Sequence, residues 1–429
     1  MSDWQQIPFG DLETAMRRKG AIPPQESRVS RGNVWPRVAL SELVVQRRDA
    51  VKIESGAEYR LLGVRWYGEG AFHRETVTRE TSKATTVYKV TPGQFIYNRL
   101  FAGKGSFGLV LPELAGAFVS NEFPLFDTDP ERLSVEYLNL YFQQRRVWDY
   151  VETVSTGTTA SRNRWKESQF LAYRIPLPSL PVQQRIVEII SAVDDQITAL
   201  DEEAEALDRV SMAVAGDLLA NEPVVALGTM LNDIRGGRSP QADKRPPGAD
   251  ELGVLKVSAV APFRFVPEES KTLLPGTSMP ESALVRPGDV LITRANTPLK
   301  VGAVARVPVD VRQGLYLADK TLRLVPSSKL DPDFLVVAMA LKSARSHLTS
   351  SATGTSASMF NVSQDRIRET PIPLPDLDRQ REVSSAVMSV RANADATRAE
   401  AARLRGARSG LLASLLDRTT KIESAELGV

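Results

Sequence analysis

A chain of 429 residues is longer than one hydrophobic core ordinarily supports, so two or more domains are expected. It has no cysteine and only two histidines, His73 and His347, which excludes disulfides and thiolate metal centres and leaves too little for a histidine zinc site or triad. Its 54 basic and 52 acidic residues nearly balance, and no apolar run is long enough to cross a bilayer, so a cytoplasmic protein with no membrane role is expected.

Residues 1–33 read as a leader, whose WQQIPFGDL at 4–12 resembles WPRVALSEL at 35–43. Residues 34–180 read as a first domain. Its β-rich runs at 59–64, 85–90 and 95–98 alternate with Gly and Pro turns, and 134–150 has helical spacing with an aromatic face. A long helix at 181–222 follows. Ile186, Ile190, Val193, Ile197, Leu200, Ala204, Leu207, Val214 and Leu218 lie on alternating four- and three-residue steps, a heptad seam. Such a helix would be about 60 Å long, too long for the inside of one domain, so it needs a partner.

Residues 223–378 repeat the landmarks of the first domain. RPGDVLITR at 286–294 answers TPGQFIYNR at 91–99, TGTSAS at 353–358 answers TGTTAS at 156–161, and IPLPDL at 372–377 answers IPLPSL at 175–180. A second long helix, 379–418, carries Val383, Val387, Val390, Leu404, Leu411 and Leu415 on the same seam 197 residues downstream, with Ser211 and Arg408 interrupting both seams at one position. The first helix holds acids in large excess over two bases, while the second has eight arginines against four acids, so the pair should attract. Residues 419–429 read as a tail. The fold class is therefore α+β: two repeated mixed α/β domains and two long paired helices. The loops repeat less well. Residues 67–82 and 101–108 have no counterpart in sequence, as reading two different targets would require.

The order of TGT turn, Pro-Leu-Pro, Gln-Arg and long helix occurs twice, in IPLPSLPVQQRIV and IPLPDLDRQREV, and resembles the specificity subunit of type I restriction-modification systems over about residues 34–418. The resemblance implies that each domain is a target recognition domain reading one half of a split double-stranded DNA sequence. It implies an antiparallel coiled coil of the two helices that docks two methyltransferase (modification) subunits, through which restriction (helicase-nuclease) subunits join. It also implies a chain with no catalytic residue, metal or cofactor of its own. Two features depart from the pattern: the leader is longer than expected, and Gln380-Arg381 aligns with Gln184-Arg185 only across a one-residue gap.

For base and phosphate contacts, Arg, Lys, Asn and Gln are the geometrically favoured side chains. In the first domain the candidates are Arg65, Tyr67, His73, Arg74, Lys83, Lys104, Arg162, Asn163, Arg164 and Lys166. In the second they are Arg235, Arg238, Lys244, Arg245, Arg294, Asn296, Lys300 and Lys320. One motif argues for an enzyme instead: FAGKGSFG at 101–108 has the glycine spacing of S-adenosylmethionine and dinucleotide sites. The residues after it contain Pro112 and read as strand and turn rather than helix, so the reading preferred is a flexible loop that carries Lys104 near DNA. The alternatives to a recognition subunit are a methyltransferase using this loop and a purely structural coiled-coil scaffold.

Overall fold

The computed structural model describes residues 35–157, 163–297, 300–356 and 359–417. The leader, Arg162 and the tail from 418 onward lie outside them, as do residues 158–161 and 357–358 of the repeated TGT turns. The chain divides into two compact units, residues 1–198 with 401–429, and residues 199–400. Among the described residues no helix is long and apolar enough to cross a membrane.

The first unit opens with the strand Arg37–Ala39, which pairs antiparallel with Arg174–Pro176, the last strand before the long helix. Its main sheet orders Val44–Arg47, Leu125–Thr128, Phe95–Tyr97 and Phe107–Leu109. A second, five-stranded sheet runs Ala50–Lys52, Thr86–Lys89, Phe118–Val119, Tyr59–Val64 and Ala71–Val77. The strands expected at 59–64, 85–90 and 95–98 are present; the helical stretch at 134–150 is broken into Val135–Tyr141 and Arg145–Val154. Between the main sheet and these helices lies an aromatic core that includes Phe95, Tyr97, Phe107, Phe142, Trp165 and Phe170. Phe95 and Phe170 stack with centroids 5.7 Å apart. The start of the first long helix, Leu180–Leu218, closes this core with Ile186 and Ile190. The end of the second, Leu377–Leu416, closes it with Leu412, Leu415 and Leu416.

The second unit repeats the frame. Val224–Ala226 pairs antiparallel with Pro371–Pro373, again the last strand before a long helix. The main sheet runs Leu231–Gly236, Thr321–Pro326, Val290–Thr293 and Val304–Arg306, the same order as in the first unit. Pro332–Ala340 and Lys342–Ser350 stand where the first unit has its helix pair. The core differs in kind, being aliphatic around Val290, Ile292, Leu322, Leu324 and Leu335, with Phe334 in place of the aromatic cluster. Here the end of the first long helix contributes Ala215, the residue just past that helix contributes Leu219, and the start of the second contributes Val383 and Val387. The second sheet has four short strands, Ala242–Asp243, Ser270–Leu273, Gly253–Leu255 and Leu315–Tyr316, and is unlike its neighbour in the first unit.

In each unit the start of one long helix meets the end of the other, so the two pair antiparallel. Ile186, Ile190, Ile197 and Leu200 of the seam are buried, as are Val383, Val387 and Leu415. Val193, Leu207, Val390, Leu404 and Leu411 are only partly buried. The seam does not hold a heptad throughout. Ser211, expected to interrupt it, is fully buried and is followed by Ala215 and Leu219, and in the second helix Leu412 and Leu416 lie deeper than Leu411. The buried stripe in fact steps by about eleven residues per three turns, as Ile186, Ile197 and Leu219 show, which is the drift of a nearly straight helix.

The proposed one-residue gap is also corrected. Gln183 is buried; its amide oxygen accepts from Ser134 N (2.9 Å), and its nitrogen donates to the Arg132 and Pro178 carbonyls (2.8 and 2.9 Å). Gln380, 197 residues on, accepts from Asp331 N (2.8 Å) and donates to the Lys329 and Pro375 carbonyls (3.0 and 2.9 Å). Gln183 and Gln380 are the matching pair, and the repeat is ungapped there.

Candidate nucleic-acid interface

Both units build the same backbone junction where the central strand ends. In the first unit, Arg99 N donates to the Glu122 carbonyl (3.0 Å) and the Arg99 carbonyl accepts from Trp165 N (3.0 Å). Arg164, next to Trp165, exchanges two backbone hydrogen bonds with Thr156 (3.2 and 3.0 Å), which ties the TGT turn to the strand end. In the second unit, Arg294 N donates to the Lys320 carbonyl (3.0 Å), its carbonyl accepts from Val362 N (2.8 Å), and Asn361 pairs with Thr353. Arg294 thus stands where Arg99 stands, Lys320 where Glu122 stands, and Asn361 where Arg164 stands.

The side chains on this shared junction differ in charge. In the first unit Arg99 is spent on Glu167, their side chains being 13% and 22% exposed. Arg164 donates twice to Glu122 (2.9 and 3.0 Å), which raises the guanidinium pKa above its ordinary value. Lys166 is exposed and Asn163 half-buried beside them. In the second unit, the structure brings together Arg294, Asn296, Lys300 and Lys320, and residues 237 and 239 flanking Arg238 bond to 318 and 319. Among the described residues no carboxylate pairs with Arg294 or Lys300. The Asn296 side chain accepts from Thr297 N (2.9 Å). Lysine here stands in the place of Glu122, a basic side chain exchanged for an acidic one on the same backbone.

The remaining candidates lie on the sheets that do not repeat. Arg65, Tyr67, His73 and Arg74 belong to the hairpin of Tyr59–Val64 and Ala71–Val77, the latter an edge strand with residues 73–76 exposed. Arg65 covers the Phe72 ring at 4.5 Å, His73 bonds to Thr76 (3.1 Å), and Arg74 pairs with Glu75. Lys83 is exposed between this strand and Thr86–Lys89. In the second unit Arg235 bonds to Asp233 (2.7 Å), and Arg238 donates to the Ser278 carbonyl. Lys244 is exposed beside Arg245, whose guanidinium holds Glu251 (2.5 and 2.6 Å) and keeps that carboxyl down at about 2. Arg245 therefore clips its own loop.

The glycines of FAGKG serve packing. Gly105 has φ +74°, and a Cβ there would lie 2.5 Å from the Trp148 ring; one on Gly103 would lie 2.9 Å from the Glu152 backbone. They let residues 101–105 sit directly on helix Arg145–Val154, while Tyr67 N and Gly68 N bond to the carbonyls of Lys104 and Gly105 (both 2.8 Å). The loop is clamped rather than flexible, and Lys104 pairs with Glu152 (3.0 Å). It has a counterpart after all: Gly302, 197 residues after Gly105, has φ +73° and closes on Leu348 of the equivalent helix. Sequence reasoning missed Arg99, although TPGQFIYNR and RPGDVLITR both end in arginine. It also missed Trp66 and Phe101, exposed rings 5.2 Å apart beside Tyr67.

Residues 1–208 match the family model of the type I restriction modification DNA specificity domain. The type I restriction enzyme EcoEI specificity subunit of Escherichia coli is 30% identical over 164 residues, 38% of this chain. That match spans 27% of the length of the curated relative. Among solved structures, a chain from a study of complex assembly and conformational transition of the type I R-M system aligns with TM-score 0.53 at 19% identity, over 90% of this chain and 98% of the other. The HsdS subunit from Thermoanaerobacter tengcongensis aligns over 91% of this chain and 99% of the other at 17% identity, with TM-score 0.40.

Proposed function

We propose that the chain belongs to the type I restriction-modification DNA specificity family, whose model matches residues 1–208, and that it reads a two-part sequence in double-stranded DNA, one part with each unit. On this reading it supplies no catalytic group. Two methyltransferase subunits dock on it and carry the chemistry, and restriction subunits join through them.

The observation that carries the reading is the repeated junction. One backbone arrangement presents Arg99, Arg164 and Glu122 in one unit and Arg294, Asn361 and Lys320 in the other. A fixed frame with exchanged side chains supports reading two different sequences, because base edges are distinguished by the donors and acceptors set against them. In the second unit Arg294, Asn296, Lys300, Lys320 and Arg238 form the contact group. In the first, Arg65, Tyr67, His73, Arg74, Lys83 and Lys104 on the unrepeated sheet and its clamped loop join Asn163, Arg164 and Lys166. Arg235, Lys244 and Arg245 are supporting or phosphate-facing residues.

The test is sequence-selective retardation of DNA by the chain with its methyltransferase partner. Arg294→Ala should weaken or relax one half of the site by about 1–3 kcal/mol and leave the other half as it was. Equal loss at both halves would refute a two-reader protein, and retention of labelled S-adenosylmethionine by the chain alone would favour a methyltransferase.

A further inference from the structure

The ion pairs between the long helices have a polarity that the duplication does not share. In the first unit Asp194 of the first helix takes both the Nε and Nη2 groups of Arg408, the latter at 2.7 Å. Arg408 also donates to Gln143 at 2.8 Å, which fixes it to the body of the unit. In the second unit Asp208 of the first helix takes Arg391 at 3.0 Å and Arg398. Arg391 is held over the Phe263 ring at 3.8 Å. The guanidinium side chains are poorly exposed, 17% for Arg408 and 13% for Arg391, so a mismatch in charge would not be screened away by water.

The 197-residue offset shows what either helix would meet in a copy of itself. Arg391 and Arg398 occupy the positions of Asp194 and Asp201, and Arg408 that of Ser211. Two first helices paired in the same way would therefore set Asp208 against Asp194 and Asp201, and Asp194 against an uncharged serine. Conversely, Asp194 and Asp208 correspond to Arg391 and Arg405. Two second helices would set Arg391 against Arg408, and Arg405 against both Arg391 and Arg398. Each of the ion pairs of Asp194 and Asp208 becomes a like-charge or unpaired contact, although the apolar positions of the two helices follow the same 197-residue offset. Apolar complementarity alone would allow self-pairing; charge opposes it.

We infer that the helix surface of each half accepts only the helix of the other half, from the same chain or from a second copy, and excludes its own duplicate. This goes beyond DNA reading and does not depend on it. The test uses full-length chains. The variant D194R/D208R makes both helices basic at the contact positions, and R391D/R398D/R408D makes both acidic. Each alone should melt several degrees below the unaltered protein and remain without a stable dimer by native mass spectrometry. Mixed, the two should form a 1:1 complex at least 100-fold tighter than either forms with itself, because each offers the charge the other lacks. The chain carrying all five changes restores opposite charges within itself and should regain the original melting temperature. Melting of either single-sign variant like the unaltered protein would overturn the inference. So would a mixture that stays uncomplexed, or a five-fold variant no more stable than its parents.

Discussion

Gln183 and Gln380 each satisfy one backbone N–H and two carbonyls in the turns that lead into helices, so their value is in what truncation would orphan. Gln183→Ala should cost about 2–3 kcal/mol in urea unfolding, whereas Gln184→Ala, exposed on the next position, should change stability by less than about 0.5 kcal/mol. Equal effects would disprove the ungapped match. Gly105→Ala must fit a methyl 2.5 Å from Trp148 at a left-handed backbone position, and a loss of about 3 kcal/mol is expected in the same assay. The Glu251 carboxyl, held at about 2 by Arg245 and Gly248 N against an ordinary 4.5, favours the folded loop at all pH above its unfolded pKa. That contribution is lost as pH falls from about 4.5 towards 2, and Arg245→Ala should return the carboxyl towards 4.5 in an NMR titration. Single residues were the least legible scale in the sequence. Arg164 and Lys104 look like free cations in a sequence, but in the fold each holds a carboxylate more than forty residues away, which no local pattern records.

At the scale of elements the repeated strands and both long helices could be read directly, because Pro-Gly turns, Pro-Leu-Pro and an apolar stripe are local signals. The phase of the stripe was legible only at first. A 3.5-residue period and the 3.67-residue period of the folded helix differ by about a sixth of a residue per turn and so agree for about six turns, after which the seam passes from Ser211 to Ala215 and Leu219 rather than to Val214 and Leu218. A small buried hydroxyl, which donates to the Asp208 carbonyl at 2.8 Å, had looked like an interruption. The difference is measurable. Leu219→Ala, at a residue 4% exposed, should cost about 2–3 kcal/mol, and Leu218→Ala, half-buried, clearly less. A heptad seam predicts the reverse order. Leu412→Ala against Leu411→Ala repeats the test in the second helix, where Leu412 is 2% exposed.

For the whole molecule, the duplication was visible in sequence but the partition into units was not. Each unit completes its core with a segment of the other half of the sequence: residues 401–429 join the first unit, and the aromatic core there is closed by Leu412, Leu415 and Leu416. Such closure comes from contacts more than 200 residues apart, as between Asp194 and Arg408, and leaves no mark at a domain boundary. On the proposed reading of DNA, the length of the long helices is expected to set the spacer between the two half-sites. Inserting eleven helical residues between Thr198 and Ala199, and eleven between Glu400 and Ala401, keeps the buried stripe in phase, because eleven residues are three turns of it. The added rise of about 16 Å corresponds to about five base pairs of B-DNA. Selection of bound sequences from a random pool should then return the original half-sites with a spacer about five base pairs longer. Seven-residue insertions, out of phase with the stripe, should lower the melting temperature and leave no single preferred spacer. An unchanged spacer with the eleven-residue insertions, or altered half-sites, would show that something other than the helix pair sets the distance.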